Sequence, residues 1–410
     1  MAWVRVSSRT AFADAVYVVT GRSCILGGCE VAFRTLGSTL AVEHGTFGIG
    51  TLFRESSTMN LFARLCLLVV GLRLALPVSC FGQVSDGAPA PIEIRIGMIG
   101  LDTSHVPAFA KIFNDPAATG DQASMRVVVG YAGGTDFPPS RDRVAGFTQQ
   151  LRDMGIEIVD SIPELLTKAD VVLLESVDGR IHLEQVLPVF QAGKPVFVDK
   201  PLAGSLADAI AIRELSRRYE VPFFSSSSYR FTPAVVELRH DESIGPIQGV
   251  ATWGPCTYQA DTPDLYFYGV HGVEALYTLM GTGCQSVSRI QSVDADLVTG
   301  QWQDGRIGTY RGIRTHASAF GATVFGTKKI MHSGPAGGYE PLCDEIAKFF
   351  RSGVAPIDVA ETIEMFAFME AADESKRRDG APVSLAEVMK LAEKQAAERL
   401  DHLAGKGPRK

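Results

Sequence analysis

Between residues 92 and 228 short apolar runs of two periodicities take turns, and that alternation constrains this chain more than any other feature. Residues 92–99 begin as an apolar/polar alternation and end wholly apolar, the pattern of a strand entering a core. Gly100 closes the run, and residues 106–113 follow at helical spacing. Further strands are predicted at 125–131, 156–159, 171–174, 196–198 and 221–224, with helices at 141–154, 182–191 and 206–219. Strands joined through helices run parallel, so the spacing predicts an α/β fold with a doubly wound parallel sheet over residues 91–228.

Past Tyr229 the pattern changes. Strand-like runs at 250–253, 288–293, 307–310 and 322–325 lack regular helices between them, apart from one helical stretch at 271–280. Helices at 339–351, 359–378 and 385–400 close the chain, so residues 229–400 read as an α+β domain with a mostly antiparallel sheet. Residues 405–410 read as a frayed tail.

Composition narrows the function classes. Lys and Arg number 39 against 46 Asp and Glu, a net charge of −7, and no basic excess exists to neutralise phosphates, which excludes a nucleic-acid binder. With 46% hydrophobic residues the chain can bury a core and is not a disordered one. The charge is unevenly spread. Residues 1–82 hold seven Arg, no Lys and four acids, a net +3, and the first lysine is Lys111.

Within that lysine-free stretch, residues 59–64 form a short positive segment, 65–76 are apolar apart from Arg73, and small residues precede Gln83. This is the layout of a secretory signal peptide, too short for a permanent span. The expectation is that Met59 is the initiator, residues 1–58 an upstream extension, 59–82 a cleaved signal, and the protein exported to the periplasm or outside; without use of that signal it is cytoplasmic. Cys24, Cys29, Cys66 and Cys80 fall in the discarded part. Cys256, Cys284 and Cys343 remain, an odd number without metal-ligand spacing, so no metal site and at most one disulfide are expected.

The predicted strand at 196–198 runs into Asp199-Lys200-Pro201. A lysine at the carboxyl end of a parallel strand lies where such sheets bind ligands, and it can donate to a substrate hydroxyl. Around it the chain resembles a known family. The run from Glu175 through Ser176 to His182, the segment Ala192-Gly193-Lys194, and Asp199-Lys200-Pro201 are similar to the Gfo/Idh/MocA family of NAD(P)-dependent sugar and polyol dehydrogenases, whose pattern there ends in "EKP". The likeness continues at residues 228–233, 243–245, 269–274 and 372–385, and so covers roughly 92–395.

That resemblance implies an N-terminal Rossmann-type domain, a C-terminal domain that holds substrate, a small carbohydrate or polyol as partner, and a homo-oligomer. It implies NAD or NADP as cofactor. Lys200 matches the family lysine that contacts nicotinamide and substrate, and His271 matches a histidine that accepts the proton of the oxidised hydroxyl. Asp199, Tyr229, Arg230 and Glu274 are the implied substrate-binding residues. Gly100, Thr103, Ser104, Ser176, His182 and Lys200 are those implied for the cofactor. Spacing of three puts His271 and Glu274 on one helix face, so the carboxylate is expected to orient the imidazole.

The residues depart from the family at the phosphate end. A dinucleotide fingerprint reads G-x-G-x-x-G, and here the run is Gly100-Leu101-Asp102-Thr103-Ser104-His105. Asp102 is expected to cap the following helix and to repel pyrophosphate. The second strand ends Tyr131-Ala132-Gly133-Gly134 instead of in an acid, with Asp136 two residues on. The sequence therefore supports an oxidoreductase acting by hydride transfer, with a silent carbohydrate-binding protein or a cofactor-retaining lyase or hydrolase as alternatives.

Overall fold

The computed structural model describes residues 23–26, 29–32 and 93–405. The signal segment, nearly all of the upstream extension and the tail after Gly405 lie outside the described residues. The chain divides into two units, residues 1–86 and 87–410. In the first, strands β1 (Ser23–Leu26) and β2 (Cys29–Ala32) pair as an antiparallel ribbon.

The second unit carries two sheets. The first has six strands, β3 (Ile94–Ile99), β4 (Met125–Tyr131), β5 (Glu157–Val159), β6 (Val171–Leu174), β7 (Val196–Asp199) and β8 (Phe223–Ser226). All pair in parallel in the order β5-β4-β3-β6-β7-β8, the order 3-2-1-4-5-6 of a doubly wound nucleotide fold. Helices α1 (His105–Phe113), α2 (Pro138–Arg141), α3 (Val144–Asp153), α4 (Ile162–Lys168), α5 (His182–Gln191) and α6 (Leu206–Tyr219) provide the crossovers. Local chemistry sets their ends. Ser205 caps α6 by accepting the Asp208 N–H at 3.0 Å, and Ser161 caps α4 through Glu164 N–H at 3.3 Å.

Helix α7 (Pro233–His240) leads into the second sheet, which has seven strands. These are β9 (Ile247–Pro255), β10 (Cys284–Gln291), β11 (Ala295–Trp302), β12 (Ile307–Ile313), β13 (Gly321–Gly326), β14 (Ile330–His332) and β15 (Val383–Ser384). Their order is β14-β13-β9-β12-β11-β10-β15, and every pair is antiparallel except β9 with β12. Helices α8 (Gly269–Met280), α9 (Glu340–Ser352), α10 (Val359–Arg377) and α11 (Leu385–Gly405) complete the unit. The α/β reading and the mostly antiparallel second sheet both hold.

Several features differ from the sequence reading, among them the short elements α2, β14 and β15, which were not expected. Helix α4 and helix α7 were not expected; Pro163 and Pro233 each sit in a first turn, where a missing N–H costs nothing. Strand β11 was missed because its pattern is inverted: Asp296 is buried and Leu297 is exposed. Helix α9, late in the chain, returns to the first sheet. Its Leu342, Cys343, Ile346 and Phe349 share one apolar core with Ile96, Phe109, Phe197 and Phe224. The three cysteines retained after residue 83 are buried free thiols. Among the described residues no helix is long and apolar enough to cross a membrane.

Candidate functional site

In the parallel sheet the winding reverses between β3 and β6, and ligands of such sheets bind beyond the strand ends at that point. A cavity of ≈ 390 Å³ opens there, within the range of small-molecule sites. Thr103, Ser104 and His105 line it from the loop after β3, Lys200 from the end of β7, and Tyr229 and His271 from the beginning of the second half. Lys200 and His271 are 71 residues apart in sequence, and the fold gives them one cavity.

Residue by residue, Lys200 follows the last residue of β7, and its backbone N–H donates to Asp199 Oδ1 at 2.8 Å. His271 stands in the first turn of α8, its Nδ1 2.6 Å from Ser227 Oγ. Burial first, then the positive charge of Lys200, holds its pKa well below the usual imidazole range, so the ring is neutral near pH 7. Glu274 does not touch it. Its Oε1 accepts from Ser226 O–H at 2.5 Å and Arg230 Nε at 2.8 Å, and its Oε2 accepts the Ser227 N–H at 2.7 Å. The expected carboxylate–imidazole contact is thus replaced by a relay: Glu274 fixes Ser227, and Ser227 holds His271. Arg230 is also bonded to Glu361 at 2.5 Å, and neither Arg230 nor Glu274 lines the cavity. Tyr229 does, buried and with its ring tilted against Phe320 at 5.1 Å.

At the phosphate end Gly100 has φ +83, and a Cβ there would lie 2.0 Å from Ser176 Oγ, so only glycine fits this turn. Asp102 does not cap α1. It is fully enclosed, accepting from Ser140 Oγ at 2.5 Å and Val177 N–H at 2.8 Å. The predicted repulsion of phosphate is corrected on that ground: the carboxylate points into the protein, where burial raises its pKa. The residue at the N-cap position is Ser104, whose side chain makes no capping bond. Among the described residues the backbone N–H groups of Asp102, Thr103 and Ser104 have no protein partner, which leaves donors at the helix start. Ser176 donates to Gln185 Oε1 at 2.8 Å, and His182 is enclosed between the Ser176 and Leu202 carbonyls. These two brace the loops. Asp136 is almost fully exposed, 3.8 Å from Arg180.

Two residues beneath the cavity escaped the sequence reading as a pair. Glu175, directly after β6, is fully enclosed and neither of its oxygens has a partner. Burial, then the charge of Asp199, raises its pKa well above the usual carboxylate range. His105 lies where the fingerprint has its third glycine, with Nδ1 2.8 Å from Asp199 Oδ2. For Asp199 burial acts upward, but His105 and Lys200 outweigh it and hold the carboxyl below its ordinary value. The available signal was a charged residue ending the apolar run 171–174 of a central strand.

Residues 139–226 match the family model GFO_IDH_MocA, described as an oxidoreductase family with an NAD-binding Rossmann fold. YceM of Salmonella typhimurium, an oxidoreductase by name, is 28% identical over 146 residues, 36% of this chain and 42% of YceM. The match thus spans less than half of that relative. Scyllo-inositol dehydrogenase from Lactobacillus casei, solved with NAD(H) and scyllo-inositol, superposes with TM-score 0.60 at 13% identity, over 72% of this chain and 99% of that one. Myo-inositol dehydrogenase from the same organism, solved with NAD(H) and myo-inositol, gives 0.57 at 16% identity over 72% and 97%. At such identities these structures establish the shared two-sheet fold. The family model falls on the strands and loops that carry Lys200. Taken with that fold and the order of motifs along the chain, this makes residues 139–226 similar to the Gfo/Idh/MocA family, within a two-sheet fold shared with its inositol dehydrogenases.

Proposed function

We propose that this protein is an oxidoreductase that exchanges hydride between a carbohydrate or polyol hydroxyl and NAD or NADP. The observation that carries the reading is the convergence of Lys200 and a neutral His271 on one cavity at the switch point of the parallel sheet. The relatives solved with inositol and NAD(H) support the substrate class.

The residues present fit a dinucleotide, because the Asp102 carboxylate is turned inward and the helix start keeps donors. The backbone N–H groups of Asp102, Thr103 and Ser104 would receive its phosphates, while the Gly100 N–H is spent on the Tyr131 carbonyl, and Lys200 would meet its nicotinamide end. When bound, that group supplies the hydride acceptor. The side chains do the proton chemistry. Lys200 donates a hydrogen bond to the reacting oxygen and stabilises the negative charge that develops on it. His271 takes the hydroxyl proton at Nε2, which requires the tautomer whose Nδ1–H donates to Ser227 Oγ.

The test is NAD(P) reduction across a panel of polyols and sugars with wild type, Lys200→Ala and His271→Ala. Each variant should lose about 10²–10⁴-fold in turnover while keeping its melting temperature. Dinucleotide binding absent from wild type would sink the dehydrogenase reading, and sugar binding alone would favour the silent binder. The layout from Met59 supports export of this enzyme, and native N-terminal sequencing that finds residues before Met59 would overturn it. Exposed Ile290, Leu297, Ile307 and Phe325 on the second sheet support self-association, testable by light scattering.

A further inference from the structure

Among the described residues, four of the six buried side-chain polar atoms without a hydrogen-bond partner gather at one place. Neither oxygen of Glu175 has a partner, and Asp199 Oδ2 and His105 Nδ1, though 2.8 Å apart, are not aligned for a hydrogen bond. One ligand atom from each of these three side chains lies within 4.8 Å of the other two. All three residues are at least nine-tenths buried. Buried polar side-chain atoms normally have partners, and a cluster of them without any is a shape that something else completes.

The backbone explains why they meet. His105 follows β3, Glu175 follows β6 and Asp199 ends β7, three neighbouring parallel strands whose carboxyl ends face the switch point. Asp199 uses Oδ1 on the Lys200 N–H, which fixes the carboxylate and leaves Oδ2 for a ligand. His105 is held by stacking on Phe109 at 5.2 Å and edge-on by Tyr339 at 4.8 Å. Among the described residues neither carboxylate is ion-paired with Lys200 or any arginine.

One imidazole nitrogen and two carboxylates form a donor set suited to a divalent ion of borderline character. We propose that His105, Glu175 and Asp199 form a mononuclear divalent-cation site, for zinc or manganese, at the base of the cavity. The two carboxylates neutralise the ion, and the ion removes the cost of two buried anions side by side. Ligand atoms around a tetrahedral ion at about 2.1 Å stand about 3.4 Å apart, so small side-chain rotations would open the 2.8 Å His105–Asp199 pair and seat Glu175. Three protein ligands leave a fourth position open. His105 also lines the cavity, which gives water or a substrate oxygen a route to it.

The experiment reads metal binding without substrate or dinucleotide, so it is independent of the dehydrogenase reading. Purified full-length protein is analysed for metal content, stripped with EDTA, and titrated calorimetrically with zinc and then manganese chloride. One equivalent of zinc or manganese should bind, with Glu175→Gln and His105→Ala weakening it roughly tenfold or more and leaving the circular dichroism spectrum unchanged. Should His105→Ala fail to fold, anomalous scattering from zinc-soaked wild-type crystals decides between the outcomes, with a peak expected about 2.1 Å from all three ligand atoms. No binding of either ion by wild type, an anomalous peak elsewhere, or undiminished binding by Glu175→Gln would overturn the site. The last result, with no anomalous peak at the cluster, would mean that Glu175 is simply a buried neutral acid.

Discussion

Each of the two sheets carries a buried ionic cluster, and the two clusters meet their charges in opposite ways. On the antiparallel sheet Arg289 is fully enclosed. Its guanidinium donates to Asp296 at 3.0 Å, to Asp264 at 2.7 Å, to the Tyr258 hydroxyl at 2.5 Å, and to Asp373. Arg314 bonds Asp296 as well, and Lys376 reaches Asp264 at 2.6 Å, so every carboxylate there has a cation. At the switch point of the parallel sheet Glu175 has no partner, and Asp199, besides the Lys200 N–H, has only His105 as an ion-pair partner. A saturated network fixes a structure and has nothing left to give a ligand. The unsaturated one sits where the fold admits ligands, and it keeps donors available at the expense of stability.

The comparison can be broken by mutation. The largest effect is expected at Arg289→Met, which strands Asp373 without its cation and should cost about 3–5 kcal/mol in denaturant unfolding. A loss under about 1 kcal/mol would show that the network contributes little to holding the sheet. The next test sets one glutamate against the other. Glu274→Gln disrupts charge-assisted bonds to Arg230 and Ser227 and should cost about 1.5–3 kcal/mol. Glu175→Gln replaces a buried, protonated carboxyl that has no bonds to lose, so in EDTA its cost should be near zero or negative. Equal losses would erase the distinction.

A smaller effect is expected at Asp102→Asn. Its carboxylate ties the loop after β3 to Ser140 and Val177, so the variant should lose about 1–2 kcal/mol. NAD(P) affinity should not rise, because no carboxylate faces the phosphate donors. A tenfold gain in calorimetric titration would restore the repulsion argument drawn from sequence.

The smallest effect is a slope. The folded-state pKa of His271 lies well below that of the unfolded chain, so below about pH 6.5 the unfolded state binds a proton that the folded state refuses. Stability contributed by the neutral ring is present above that pH and is lost as pH falls toward the folded value, by at most about 1.4 kcal/mol per pH unit. His271→Asn should flatten this slope between pH 7 and 5. An identical slope in both proteins would show that His271 is not the buried neutral base proposed.

What could be read in the sequence was whatever local chemistry decides. Helices α5 and α6 begin and end at the residues that periodicity indicates, because apolar spacing and a capping serine are local facts. Lys200 was legible as the residue closing an apolar strand, and His271 through a family motif. Strand β11 was not, since Asp296 faces inward only because Arg289 and Arg314, 7 and 18 residues away, neutralise it there. The relay from Glu274 through Ser227 to His271 was hidden for the same reason, because spacing places two side chains on a helix face but does not say what else competes for them.

The sequence by itself determined the alternation of strands and helices over residues 91–228 and the parallel winding that follows from it. Tertiary structure alone decided which charges are met. His105, Glu175 and Asp199 are spread over 95 residues and share no local pattern. They converge because three parallel strands end side by side, and Glu175 keeps no ionic partner because, among the described residues, no arginine or lysine comes within ion-pair distance of it. Pairing of a buried charge depends on every element packed around it, and that information is written in distances between segments and not along the chain.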